Sequence, residues 1–105
     1  MQIQIQSDDI VLSEGLREHI VRRLAYSLTH GRELISRIVV RLADATGPKG
    51  VIDKRCGIEV RLQGQPNITI DDTQADLCVA IDRAAERTGR TLYHRIARRP
   101  SPALY

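Results

Sequence analysis

The sequence predicts an α+β fold of order βαβββα, a four-stranded mixed sheet with two helices packed on one face. Three observations carry this. Runs in which apolar and polar residues alternate occur four times. Two longer runs repeat apolar residues every three to four positions. Gly- and Pro-containing clusters separate the last three alternating runs. With 105 residues, 42% hydrophobic and 28% charged, the chain has the composition of one ordinary globular domain. This excludes a disordered tail, a collagen-like chain and a disulfide scaffold.

The first strand is residues 2–6, where Ile3 and Ile5 alternate with glutamines. Ser13 is positioned to cap a helix whose Leu16, Ile20, Leu24 and Leu28 recur every four residues, with Gly31 as its stop. Residues 35–43 form the second strand, with Ile38, Val40 and Leu42 on one face and Arg37, Val39 and Arg41 on the other. Residues 44–53 read as a loop around Thr46, Gly47, Pro48, Lys49 and Gly50. The third strand alternates Cys56, Ile58, Val60 and Leu62 with Arg55, Gly57, Glu59 and Arg61. A turn at Gly64, Gln65 and Pro66 leads to a fourth strand through Ile68 and Ile70.

Asp71, Asp72 and Thr73 then read as the cap of the last helix, on which Leu77, Ile81, Ala84, Thr88 and Leu92 share a face. Carried to Arg98, before Pro100, that helix is about 26 residues or ~39 Å long. Its last turns are expected to overhang the sheet, with a bend at Gly89. The first strand, helix and second strand should make a right-handed crossover between parallel strands, followed by an antiparallel meander. Residues 1–99 form the domain and 100–105 a short tail.

Only Cys56 and Cys78 are present, both read as buried free thiols, which suits a reducing cytoplasm. The alternating N-terminus lacks the pattern of a signal peptide, and no run has the ~18 apolar residues of a membrane span. Phe and Trp are absent and Tyr26, Tyr93 and Tyr105 are the only aromatics, so the core is aliphatic and no platform for stacked bases is expected.

Charge is the informative feature. The net charge is +3, yet residues 83–99 hold six Arg and one Glu, whereas residues 71–82 hold four Asp and no base. At ~100° per residue, Arg83, Arg87, Arg90, His94 and Arg98 form one ribbon beside the apolar stripe, and Asp82 and Glu86 lie on a third flank. Part of this polarity simply complements the helix dipole. On the first helix His19, Arg22, Arg23, Tyr26 and His30 form a second basic face, which side-by-side packing would join to the first. Arg37, Arg41, Arg55 and Arg61 make a lesser basic surface on the polar sheet face. Arginine ribbons of this kind suit phosphates and folded RNA shape better than a single strand.

Catalytic constellations are not legible. His19, His30 and His94 are scattered, no zinc spacing links them to the cysteines, and the Lys49 loop lacks a phosphate-binding pattern. No enzyme activity, cofactor, metal or small-molecule substrate is expected. An interaction module for an acidic protein is the alternative to RNA.

Three segments carry a family resemblance. They are Leu16-Arg17-Glu18-His19-Ile20-Val21-Arg22-Arg23-Leu24, the third strand Asp53-Lys54-Arg55-Cys56-Gly57-Ile58-Glu59-Val60-Arg61-Leu62, and, most specifically, the start of the last helix in residues 72–85. Together they resemble the hibernation-promoting factor / ribosome-associated inhibitor A family, also known as the sigma-54 modulation protein family, in its short form. The resemblance spans roughly residues 1–99. It implies binding to the small ribosomal subunit, in the channel for mRNA and tRNA, with translation silenced under stress. It assigns Arg22, Arg23, Arg83, Arg87 and Arg90 to 16S rRNA phosphates, and the ribbon adds His94 and Arg98. Cys78 departs from the family's usual aromatic and His19 from a common Tyr. The expected state off the ribosome is a monomer with no membrane partner.

Overall fold

A computed structural model describes residues 2–48 and 50–97. Lys49, Arg98 and the 100–105 tail lie outside them. The elements are β1 (Gln2–Ser7), α1 (Glu14–Ser27), a 3-10 turn (Arg32–Leu34), β2 (Ile35–Thr46), β3 (Ile52–Leu62), β4 (Ile68–Gln74) and α2 (Leu77–Ala97). The sheet order is β1-β2-β3-β4. β1 pairs parallel to β2, while β2–β3 and β3–β4 are antiparallel. The expected βαβββα arrangement is therefore the observed one.

Alternation sets the register. Ile3 lies beside Ile38 and Ile5 beside Val40, continuing into Ile58 and Val60 on β3. All of these side chains share the face covered by α1 and α2, where Ile20, Leu24, Leu28, Ala80, Ile81, Ala84, Ala85 and Leu92 complete an aliphatic core. Cys56 is buried in it, as the sequence suggests; Cys78, on the first turn of α2, is exposed. A register shift at Ser36 lets Ile35 enter the core while Arg37 stays on the open face.

Four local expectations give way to tertiary structure. The 44–53 loop is largely strand: β2 and β3 extend as a hairpin whose pairs reach Thr46 and Ile52, leaving a short turn. Asp71, Asp72 and Thr73 belong to β4, paired with Gly57, Cys56 and Arg55. The cap of α2 is Asp76, whose Oδ1 accepts from the backbone N–H of Cys78 at 2.8 Å and Val79 at 3.3 Å. Ser13 does cap α1, accepting from Leu16 N–H at 3.1 Å.

The end of α2 does not overhang freely. Leu92 is fully buried and Ile96 packs on the core. Arg95 Nη1 donates to the Pro66 carbonyl at 2.5 Å, which explains an arginine on the apolar stripe. Gly31 sits beneath Ile96 with φ 85°, and a Cβ there would lie 2.0 Å from Ile96 Cδ1. Nor does Gly89 serve as a bend. It is where α2 crosses α1, so close that a Cβ would meet the Ser27 carbonyl oxygen at 2.3 Å.

Candidate nucleic-acid interface

Packing α1 beside α2 brings the two basic helix faces together, with Asp82 bridging them. Asp82 Oδ1 on α2 lies 2.8 Å from His19 Nε2 on α1. A carboxylate can only accept, so the ring nitrogen facing it carries the proton. Arg23 Nε lies 3.2 Å from the same oxygen but off the line of a hydrogen bond, so the contact is one of charge. Asp82 thereby ties the helices and removes one positive charge from their seam.

The ribbon residues fall into distinct classes. Among the described residues, Arg22 and Arg83 have no carboxylate partner, and both are exposed. Arg90 Nη2 donates to Glu86 Oε1 at 2.7 Å, one turn away, with both side chains about 60% exposed. Arg87 turns the other way. Its Nη1 donates to the Asp71 carbonyl at 2.7 Å and to Asp72 Oδ2 at 3.2 Å, anchoring α2 to β4. Asp72 points to the covered face with its side chain only 10% exposed, so Arg87 has a structural partner to satisfy. His94 is exposed and its ring meets Tyr93 edge-on at 5.9 Å. Arg98 lies outside the described residues.

The open sheet face is weaker than its arginines suggest. Arg55 pairs with Asp71 at 3.1 Å and Arg61 with Glu59 at 3.1 Å. The Asp71 pairing depends on that residue lying in β4 rather than capping α2. Arg37 and Arg41 are held by neutral acceptors, Gln4 and Gln6 of β1. Two of the four charges are therefore matched on this face, whereas Arg22 and Arg83 project from the helices without carboxylate partners among the described residues.

A family model described as Sigma 54 modulation protein / S30EA ribosomal protein matches residues 3–99. The chain belongs to this family. Its name denotes modulation and ribosomal proteins rather than a reaction. The S30EA family fold recurs in solved structures. One is a ribosomal subunit interface protein from Coxiella burnetii, with TM-score 0.78 and 22% identity, covering 93% of this chain and 100% of that one. Another is the N-terminal domain of Thermus thermophilus Protein Y, with TM-score 0.74 and 23% identity, covering 90% of this chain and 99% of that one. No curated protein sequence matches significantly.

The helical surface of this S30EA family member also carries what composition hid. Tyr26 is 77% and Tyr93 54% exposed. The Arg23 guanidinium carbon lies 6.0 Å from the Tyr26 ring centre, and His30 meets Tyr93 edge-on at 5.9 Å. A shallow groove at the helix crossing is lined by Tyr26, Ser27, Thr29, His30, Glu86, Gly89 and Arg90. The angular position of Tyr26 beside Arg22 and Arg23 was the available signal; counting aromatics obscured it. Among the described residues no His, Cys, Asp or Glu cluster could hold a metal, and no helix is long and apolar enough to cross a membrane.

Proposed function

We propose that this protein is a ribosome-associated translation inhibitor of the hibernation type. Its domain, residues 1–99, binds the small ribosomal subunit through 16S rRNA and obstructs mRNA and tRNA while bound. The observation that carries the proposal is the joined outer surface of α1 and α2, where, among the described residues, Arg22 and Arg83 project without carboxylate partners and Arg90 engages only an exposed one. Membership in the family supports the ribosome as the target, as does the Coxiella burnetii relative's description as a ribosomal subunit interface protein. In mechanism, guanidinium groups replace counterions on rRNA phosphates, and the rigid domain excludes competing ligands by occupancy. No catalytic step is required. The setting is the cytoplasm, with the protein monomeric off the ribosome.

The test is sedimentation with purified small subunits through a sucrose cushion at two salt concentrations. Wild-type protein should pellet more at low salt. The triple variant Arg22→Ala, Arg83→Ala, Arg90→Ala should fold normally and flatten the log–log salt slope by about 2–3, at ~0.7–0.9 per phosphate contact. Arg87 and Arg23 are kept intact because both make internal contacts. Failure of the wild type to pellet at low salt, or an unchanged slope in the variant, overturns the proposal. A lysate partner that survives RNase would instead indicate an acidic protein.

A further inference from the structure

The groove at the helix crossing lies within the proposed RNA-binding surface but is not built for phosphate alone. Phosphate recognition explains the arginines and leaves two features over. One is Tyr26, an aromatic ring 77% exposed in a protein with only three aromatics. The other is Glu86, an exposed carboxylate on the flank of the basic ribbon beside Arg90, where it would repel a phosphate.

We propose that the groove seats one unstacked RNA base bearing an exocyclic amino group, with Tyr26 as the stacking surface and Glu86 as the acceptor for the amine. The inference rests on the RNA-binding reading and specifies the feature of the RNA that is recognised. Tyr26 and Glu86 line the same groove, together with Ser27, His30 and Arg90. A base has a π-face that any exposed aromatic ring can cover. Adenine, cytosine and guanine present an amino group that a carboxylate can accept from; uracil presents none. Arg90, held 2.7 Å from Glu86, fixes the carboxylate and leaves other N–H groups for the adjoining phosphate. Gly89 also lines the groove, where α2 runs close against Ser27 of α1. A paired base inside a duplex cannot enter, so the groove selects a loop, bulge or single-stranded residue.

The experiment measures affinity for the small subunit by the same sedimentation, with folding checked by thermal melting. Tyr26→Phe should bind like wild type. Tyr26→Ala should weaken binding about 5- to 150-fold, the range expected for losing one stacked base. Glu86 gives a second, independent arm. Glu86→Gln and Glu86→Ala both remove the negative charge, but only Gln keeps an acceptor. The proposal requires the Ala variant to bind at least about fivefold more weakly than the Gln variant. If phosphate attraction alone operates, the two Glu86 variants bind equally and Tyr26→Ala matches wild type; either result overturns the inference while leaving the ribosomal reading intact. A wild type that fails to pellet with subunits defeats that reading itself.

Discussion

Replacing Gly89 with alanine sets two physical effects against each other, and the structure decides which wins. In a solvent-exposed helix interior, alanine is favoured over glycine by about 1 kcal/mol. At this crossing, the new Cβ would lie 2.3 Å from the Ser27 carbonyl oxygen, 3.0 Å from the Ser27 carbonyl carbon and 3.2 Å from its Cβ. Ordinary contacts begin near 3.4 Å, so α1 must withdraw by roughly an ångström. The obstacle is backbone, and no rotamer change relieves it. Withdrawal loosens Leu24 and Leu28 against Ala85 and Leu92, all fully or almost fully buried. Overpacking of this kind costs about 1–3 kcal/mol, sometimes more. Because a backbone clash belongs at the upper end, the expected net effect is a loss of about 1–2 kcal/mol. At ~4–8 °C per kcal/mol, the melting midpoint should fall by roughly 4–16 °C. Thermal and urea unfolding followed by far-ultraviolet circular dichroism would measure it. A variant melting at or above wild type would refute the close crossing, because helix propensity would then be the only effect in play.

Further outcomes follow from Asp82 and Cys56. Asp82→Asn removes the charge shared by His19 and Arg23; with these side chains about a third exposed, it should cost less than about 1 kcal/mol of stability. It should also tighten low-salt binding to the small subunit roughly two- to threefold, and weaker binding would mean that the carboxylate organises the interface rather than opposing it. Cys56 has its thiol pushed up to about 12 by burial first and then by Asp72 and Asp71. At pH 8 a thiol reagent should label one cysteine per native chain, the exposed Cys78, and both in denaturant. Below the ordinary value of 9.0, Cys56 is protonated in folded and unfolded chains alike and its contribution to stability is fully present. Between pH 9 and about 12 the unfolded chain alone ionises. Stability is then lost by up to about 1.4 kcal/mol per pH unit. Cys56→Ala should lack that component of the alkaline decline, and an identical decline in both proteins would count against the buried thiol.

The fold was legible because its two periodicities are clean. Gln-Ile alternation in β1 and the four-residue apolar spacing of α1 each permit one structure, and both occur where expected. The misassignments share a cause: residues whose local preference is ambiguous were settled by distant partners. Asp71 and Asp72 resemble a helix cap until β3 pairs with them, and the true cap, Asp76, lies only four residues beyond Asp72. Gly89 resembles a flaw in a helix until α1 is placed against it. Arg95 contradicts the apolar stripe until the Pro66 carbonyl, 29 residues earlier, accepts a hydrogen bond from it.

The same distinction sorts the proposed binding surface. Helical angles place Arg83, Arg87 and Arg90 on one ribbon, but angle says nothing about reach. Arg87 bends back to satisfy Asp72 on β4, Arg90 is shared with Glu86, and Arg83 alone of the three has no carboxylate partner among the described residues. On α1, Arg23 is committed to the seam and Arg22 is not. Charge counted along the sequence thus overstates the attraction available to an RNA and understates its shape. Two helices fixed by Asp82 and by the Gly89–Ser27 crossing present separated arginines around a groove containing an aromatic ring and an acid. On the proposed reading such a surface discriminates by geometry: a uniform duplex would satisfy the arginines alone, whereas a folded RNA with a displaced base would satisfy the arginines, the ring and the acid together.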